Sequence, residues 1–265
     1  MNLDIPHKLI PSFENLKTNR YDTIVWYGGR GSAKTNALIK IAILESFIDD
    51  GVILCCREIQ KSIADSLYSA IVNFISDNKI DHLFKITLGE IVNLQTNARF
   101  IFAGLKSNIT SIKSIDKLRV ILTDEAENIT QQSWDYLRPT PRYGHTRTYV
   151  VFNPRFETDP TWQEFVVRAD ENTLSVVINW RDNPWFPESL ERQRQRSLLG
   201  DAGRYAWIWE GKFLQISDSS ILAKKLKVQD FEIIEGFSTP YIGIDWGFSV
   251  DPTAAIECYV FNECL

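Results

Sequence analysis

Thr23–Thr35 reads TIVWYGGRGSAKT. Its first five residues are β-branched or aromatic, a composition that suits a buried pleated strand. Beyond it, Ala37, Leu38, Ile41 and Leu44 recur at three- and four-residue spacing through Lys34–Phe47, which predicts a helix with one apolar face. Between the two lies Gly28-Gly29-Arg30-Gly31-Ser32-Ala33-Lys34-Thr35. A glycine-rich turn from strand to helix that ends in Lys-Thr is the phosphate-binding pattern G-x-x-x-x-G-K-[ST] in its required context. The glycines let backbone N–H groups turn inward around a β-phosphate, and the helix N-terminus adds the positive end of its dipole. Lys34 would reach the β- and γ-oxygens of a bound ATP, and the Thr35 hydroxyl would hold Mg²⁺. One position departs from the pattern: Ala33 stands where a second Gly is expected, the smallest side chain that could intrude there. Arg30 reads either as a surface cation or as a charge poised near the γ-phosphate.

The second signal lies roughly 90 residues downstream, where LRVILTDEAE spans Leu118–Glu127. An apolar strand that terminates in Asp presents an acid to Mg²⁺, which is the role expected of Asp124. Glu125, next in the chain, would face the attacking water as general base. Alone, such a strand end is a weak signal; paired with the loop at Gly28–Thr35 it gains force. Glu127 reads as structural. A third strand, Arg147–Phe152, ends in Asn153-Pro154. Asn153 is a candidate γ-phosphate sensor, although a plain loop residue would look the same.

Further strands are expected at Val52–Arg57 and Leu174–Asn179, and a second helix at Ser62–Ser76, with Ile63, Leu67, Ile71 and Ile75 on one stripe. Phe84–Thr87, Ile91–Leu94 and Arg99–Ala103, punctuated by Gly89 and Asn97, read as a hairpin or meander. Strands alternating with helices give an α/β fold with a mainly parallel sheet covered on both faces. Pro187–Leu199 and Ala202–Glu210 look helical, and Gln215–Lys227 is a polar stretch with few apolar anchors. Thr239–Asp245 and Ala254–Phe261 then open a second unit too short to bury a core alone. The expected division is a P-loop domain with its helical subdomain over 1–214, a linker over 215–238 and a second unit over 239–265.

Composition narrows the setting. Hydrophobic residues make up 44% and charged residues 24% of the 265, enough to bury a core. No apolar run reaches the ~20 residues of a membrane-spanning helix, and Met1–Ile10 lacks the features of a secretory leader. An intracellular protein without membrane contact is the expectation. Net charge is −5. Static grip on nucleic acid goes with a basic balance, so any such contact here would be local or transient. Cys55 and Cys56, inside an apolar run, read as buried reduced thiols. His7, His82 and His145 are far apart and near no cysteine, which argues against zinc.

Taken together, YGGRGSAKT at 27–35, ILTDEAE at 121–127, VFNP at 151–154, WRDNPWFP at 180–187, YAWIWEGKF at 205–213 and YIGIDWGFSVDPTA at 241–254 resemble the large terminase subunits of tailed phages, closest to the P22/PBSX-like group. They run in family order across nearly the whole chain, and Arg30 and Ala33 are family-like. The resemblance implies an ATPase that translocates double-stranded DNA into a procapsid through the portal, followed by an RNase H-like nuclease. It implies that Lys34, Thr35, Asp124 and Glu125 act as described, that Arg30 is the loop cation and that Asn153 couples hydrolysis to movement. Asp245 matches the first metal-binding acid of the nuclease, whose remaining acids should lie further along; Asp251 and Glu257 are weak substitutes. On this view the nuclease start is incomplete and without activity in this chain. The implied partners are duplex DNA, the portal, a small terminase subunit and further copies in a ring on the portal. The implied location is the host cytoplasm, with transient docking on the procapsid. Two rival readings are a helicase-like P-loop ATPase and an inactive prophage remnant. Arg138, Arg142, Arg147, Arg192, Arg194 and Arg196 are possible arginine fingers, with a solvated helix face the plainer reading of the last three. For Trp180, Trp185, Trp207 and Trp209, core packing is favoured over DNA stacking.

Overall fold

The computed structural model describes residues 4–59, 67–112, 114–140, 146–214, 232–233, 236–247 and 253–260. They fall into two compact units, 1–215 and 216–265.

The first unit is built on an eight-stranded sheet. Its strands are β1 (Thr23–Tyr27), β2 (Val52–Arg57), β3 (Phe84–Thr87), β4 (Glu90–Asn93), β5 (Arg99–Gly104), β6 (Leu118–Thr123), β7 (Arg147–Phe152) and β8 (Thr173–Val177). They lie in the order β3-β4-β5-β2-β6-β7-β1-β8. From β5 to β8 every pairing is parallel, while β3 and β4 form an antiparallel edge. The parallel strands are apolar on both faces because both faces are covered. One core packs Ile24, Trp26, Ile53, Val120 and Val151 beneath α2 (Lys34–Ser46) and α3 (Ser69–Asp77). The other packs Val25, Leu54, Ile121 and Val150 with Trp134 and Leu137 of α5 (Gln131–Leu137).

The expected alternation is what the structure shows, with boundaries shifted by up to three residues. Ser62–Ser76 begins outside the described residues, and its described part becomes α3. Among the described residues, three of the longer helices were not foreseen: α1 (Ile10–Thr18), α4 (Leu105–Ile112) and α5. Only α5 carries a clear local signal, because the Thr130 hydroxyl accepts from the Ser133 amide at 3.2 Å as a helix N-cap. Past β8, α6 (Glu188–Leu198) and α7 (Ala202–Glu210) match expectation. The proposed linker falls almost wholly outside the described residues. The second unit shows β9 (Tyr241–Asp245) antiparallel to β10 (Ala254–Cys258), with Asp245 opposite Ala254. Among the described residues no helix is long and apolar enough to cross a membrane.

A buried ionic cluster ties three elements together. Glu45, near the end of α2, receives both Nε (2.6 Å) and Nη2 (2.5 Å) of Arg147 from the start of β7. The Tyr149 hydroxyl donates to the same carboxylate at 2.7 Å, and Arg147 Nη1 reaches Asn19 Oδ1, just past α1, at 2.7 Å. Burial, then the Glu45 charge, pushes the Tyr149 phenol well above its ordinary pKa, so it stays a donor. Arg147 is therefore a structural cation and not an arginine finger. Buried charges hold only when paired, and removing one partner strands the other. Glu45→Ala should cost roughly 3–5 kcal/mol of stability in denaturant unfolding; a loss below ~1 kcal/mol would show that the guanidinium finds water or another partner.

Candidate active site

The carboxyl ends of β1, β6 and β7 converge because β7 lies between the other two. The turn after β1 needs unusual backbone: Gly31 adopts φ +75° and Ala33, without a glycine's freedom, is left-handed at +64°. A left-handed alanine carries a conformational cost that surrounding contacts must offset. Those contacts are dense. Lys34 Nζ lies within reach of four oxygens: Gly28 O (3.0 Å), Gly29 O (2.9 Å), Ser32 Oγ (2.9 Å) and Asn153 Oδ1 (2.9 Å). Burial drives the Lys34 ammonium down to about 7, against the pull of Glu127 and Asp124.

Thr35 Oγ donates to Asp124 Oδ1 at 3.2 Å, joining the first turn of α2 to the end of β6. The two oxygens are hard donors of the kind magnesium takes, and a magnesium site with few protein ligands leaves its other positions to phosphate and water. The residues present thus fit such an ion. Glu125 follows in a left-handed conformation, φ +52°, so its side chain turns out of the strand and is about half exposed. These residues line a cleft of about 400 Å³ together with Arg30, Glu127 and Asn153. Arg30 is exposed and also lines an adjoining cavity with Glu125, Glu127 and Asn153. The structure therefore brings together every residue expected at the nucleotide site. Asp245 belongs to the second unit, where Glu257 lies opposite Ile242; Asp251 is outside the described residues. Among the described residues, no group of three or more His, Cys, Asp or Glu could hold a metal ion.

Three site residues escaped sequence reasoning. Arg57, buried at the end of β2, contacts Asp124 and sets Nη1 3.3 Å from Glu125 Oε1, offsetting two adjacent carboxylates. A charged residue ending the apolar run VILCC was its only signal. Glu127 is more than structural filler. It lines both cavities and accepts from the Asn153 amide at 3.3 Å, and burial raises its pKa to about 6. Asn179, just after β8, accepts from the Gly29 amide at 2.6 Å.

The remaining arginines and tryptophans sort by burial. Arg138 pairs with Glu164, and Arg142 lies outside the described residues. Arg192 and Arg196 are exposed, but Arg194 is buried, held by Glu191 (2.6 Å) and lying 4.0 Å from the Trp180 ring, so the triplet is not one solvated face. Trp209 packs as expected, whereas Trp185 is 50% exposed. Cys55 and Cys56 are free thiols inside the core, their pKa values raised by burial.

Residues 20–212 match the sequence model of the phage terminase large subunit family. The chain belongs to that family. Among solved structures, the large terminase of a thermophilic bacteriophage superposes with TM-score 0.70 at 12% identity, over 98% of this chain and 66% of that protein. The same terminase in complex with ADP gives 0.69 at 11% identity, with the same shares covered. The large terminase ATPase domain of Thermus phage P74-26 gives 0.58 at 14% identity, over 73% of this chain and 89% of that domain. At these identities the likeness is one of fold. The chain thus spans just under two thirds of the length of the first of these terminases. No curated protein sequence matches it.

The Gly28–Thr35 loop of this terminase chain is also packed from outside. Arg30 N donates to Ile208 O at 2.7 Å, and a Cβ on Gly29 would collide with the Trp209 backbone of α7. Gly29→Ala should thus destabilise the first unit by about 1–3 kcal/mol, read as a lowered unfolding midpoint. An unchanged midpoint would show that α7 can retreat from the loop without cost.

Proposed function

We propose that this chain supplies the ATP-hydrolysing part of a viral DNA-packaging motor, a terminase large subunit that uses ATP with Mg²⁺ to move double-stranded DNA into a procapsid. The observation that carries it is the junction of Thr35 Oγ with Asp124 at 3.2 Å, with Lys34 on one side and Glu125 on the other. Phosphoryl transfer asks a protein for positioning and charge rather than covalent chemistry. In this reading, backbone amides of Gly29–Lys34 cradle the β-phosphate. Lys34 turns its ammonium from the neutral loop oxygens to the β- and γ-oxygens. Thr35 and Asp124 hold Mg²⁺, which supplies charge neutralisation when bound. Glu125 takes the proton of the attacking water, and for that it leaves the Arg57 guanidinium. Arg30 faces the γ-phosphate, and Asn153, bonded both to Lys34 and to Glu127, passes the state of the site along β7.

The partners that follow are duplex DNA, a portal, a small terminase subunit and further copies in a ring, acting in the host cytoplasm and docking transiently on the procapsid. The order of the family's motifs and the wording GGRGSAKT support placement near the P22/PBSX-like group. Residues 1–214 form the motor domain, 215–238 a linker and 239–265 the start of an RNase H-like nuclease, in which Asp245 is a metal-binding acid. Two-metal cleavage needs several carboxylates around the ions.

Steady-state ATP hydrolysis with Mg²⁺, with and without duplex DNA, tests the core of the proposal. Glu125→Ala should still bind ATP yet turn over roughly 10²–10⁴-fold more slowly, the usual worth of general-base catalysis. Near-normal turnover would remove Glu125 from that role. Lys34→Ala should lose both binding and turnover, and tight ATP binding by this variant would overturn the phosphate-cradle assignment.

A further inference from the structure

Arg155 follows Asn153-Pro154 at the exit of β7, and none of the chemistry above uses it. Its backbone is fixed. The Leu214 amide donates to Arg155 O at 2.8 Å, and Trp207 Nε1 donates to Pro154 O at 3.0 Å. Its guanidinium is held only loosely. Nη1 lies 3.5 Å from Asn128 Oδ1, and the group sits 5.3 Å from the centre of the Phe156 ring. Nε lies 3.6 Å from Asp159 Oδ2, an oxygen that already accepts the Phe156 amide at 3.0 Å. Among the described residues this Nε is buried without a hydrogen-bond partner. A planar cation with five N–H donors is thus held in place with most of those donors unused.

This cation lines the cavity of about 530 Å³ that adjoins the nucleotide cleft. Arg30, Glu125, Glu127 and Asn153 line both spaces, whereas Ser32, Lys34 and Thr35 line the cleft alone. The cavity therefore opens from the end of the cleft that would hold a γ-phosphate and its attacking water, away from the loop that would hold the β-phosphate. In phosphoryl transfer the attacking and leaving oxygens are roughly in line, so the phosphorus moves toward the attacking water as it leaves the nucleotide. That motion carries it toward Glu125 and the second cavity. Arginine meets phosphate there in the geometry that suits both, a bidentate fork. Glu125 and Glu127 repel an anion from the near wall, while Arg30 and Arg155 attract it. A site lined by both signs binds weakly, and a path for release needs a site that is easy both to enter and to leave.

We infer that this cavity receives the inorganic phosphate cut from ATP, with Arg155 as the cation that draws it out of the cleft. The inference rests on the hydrolysis reading above and adds a product site to it. ADP, still seated on the loop, closes the way back through the cleft, so the phosphate departs by a route of its own. Arg155 is then a binding residue for the product, with no part in holding the nucleotide or the attacking water.

Calorimetric titration of inorganic phosphate into the full chain loaded with ADP and Mg²⁺ tests the site. Wild type should bind phosphate. Arg155→Gln, which keeps a polar chain without the charge, should raise that Kd roughly 10-fold, the lower end of what one hydrogen bond to a charged group gives. Arg155→Lys, a point charge without the fork, should recover part of the loss. Kd for ADP should stay at its wild-type value in both variants, which also shows that the first unit has folded. In single turnovers, acid quench reads phosphate cleaved and a fluorescent phosphate sensor reads phosphate released. The interval between the two should lengthen in Arg155→Gln. Wild-type phosphate affinity in that variant overturns the site, and so does a wild-type interval. Loss of duplex-DNA affinity with phosphate binding intact would assign Arg155 to the DNA backbone instead. A wild-type chain that binds ADP but no phosphate overturns the site and leaves the phosphate cradle standing. One that binds neither overturns both.

Discussion

A single ammonium group, that of Lys34, sets the terms for the rest of the first unit. A buried charge is costly unless it is satisfied, and Lys34 is satisfied by the loop that carries it. Two carbonyls and one hydroxyl come from Gly28–Ser32, and the fourth oxygen comes from Asn153, just past the end of β7. Three N–H groups shared among four oxygens leave no bond fixed for good. That is a useful property in a group whose task is to exchange neutral oxygens for charged ones. It also requires the end of β7 to sit beside the end of β1, which the strand order provides.

The negative side is arranged with equal economy. Asp124 and Glu125 are adjacent in the chain, and two like charges so close repel unless a cation lies beside them. Arg57, from the neighbouring strand β2, touches both. The left-handed turn at Glu125 separates the two side chains, keeping Asp124 buried against Thr35 while Glu125 turns to solvent. Glu127 lies on the far side, held by the Asn153 amide. A cation from the end of β1, Lys34, and one from the end of β2, Arg57, thus lie on either side of the carboxylates after β6, with the neutral Asn153 at the end of β7.

How much of this was legible follows from the range of each signal. Strand, loop and helix at Thr23–Phe47 are local facts, written in β-branching, glycine content and 3.6-residue spacing, and they read through. Asp124 was legible because strand ends are local too. Arg57 and Glu127 were not, because their meaning depends on which strand lies beside which, and no residue in VILCCR or DEAE encodes the order β2-β6-β7-β1. Arg147 misled for the same reason. Its partner Glu45 is 102 residues away, and nothing near Arg147 says that it will be buried. Trp185 and Phe186 show the limit most sharply: neighbours in the chain with similar apolar character, they part because the Phe186 ring lies against Gly31 while Trp185 is left half exposed.

The glycines of the loop carry a last consequence. Their presence is explained locally by phosphate approach, yet Gly29 is also needed because the Trp209 backbone of α7 lies against it, and Gly31 because the Phe186 ring does. The loop is therefore a layer between two surfaces, with its inner side toward Lys34 and its outer side against α7 and the segment after β8. Asn179 and Asn183 bond that outer segment to the loop at Gly29 and Gly31. A close-packed layer cannot shift on one side alone. Any rearrangement of the loop around a phosphate chain must be felt at the Trp180–Gly211 region, and any load on that region must be felt at the loop. The same tight packing that demands glycine gives the site a mechanical connection to the helices behind it.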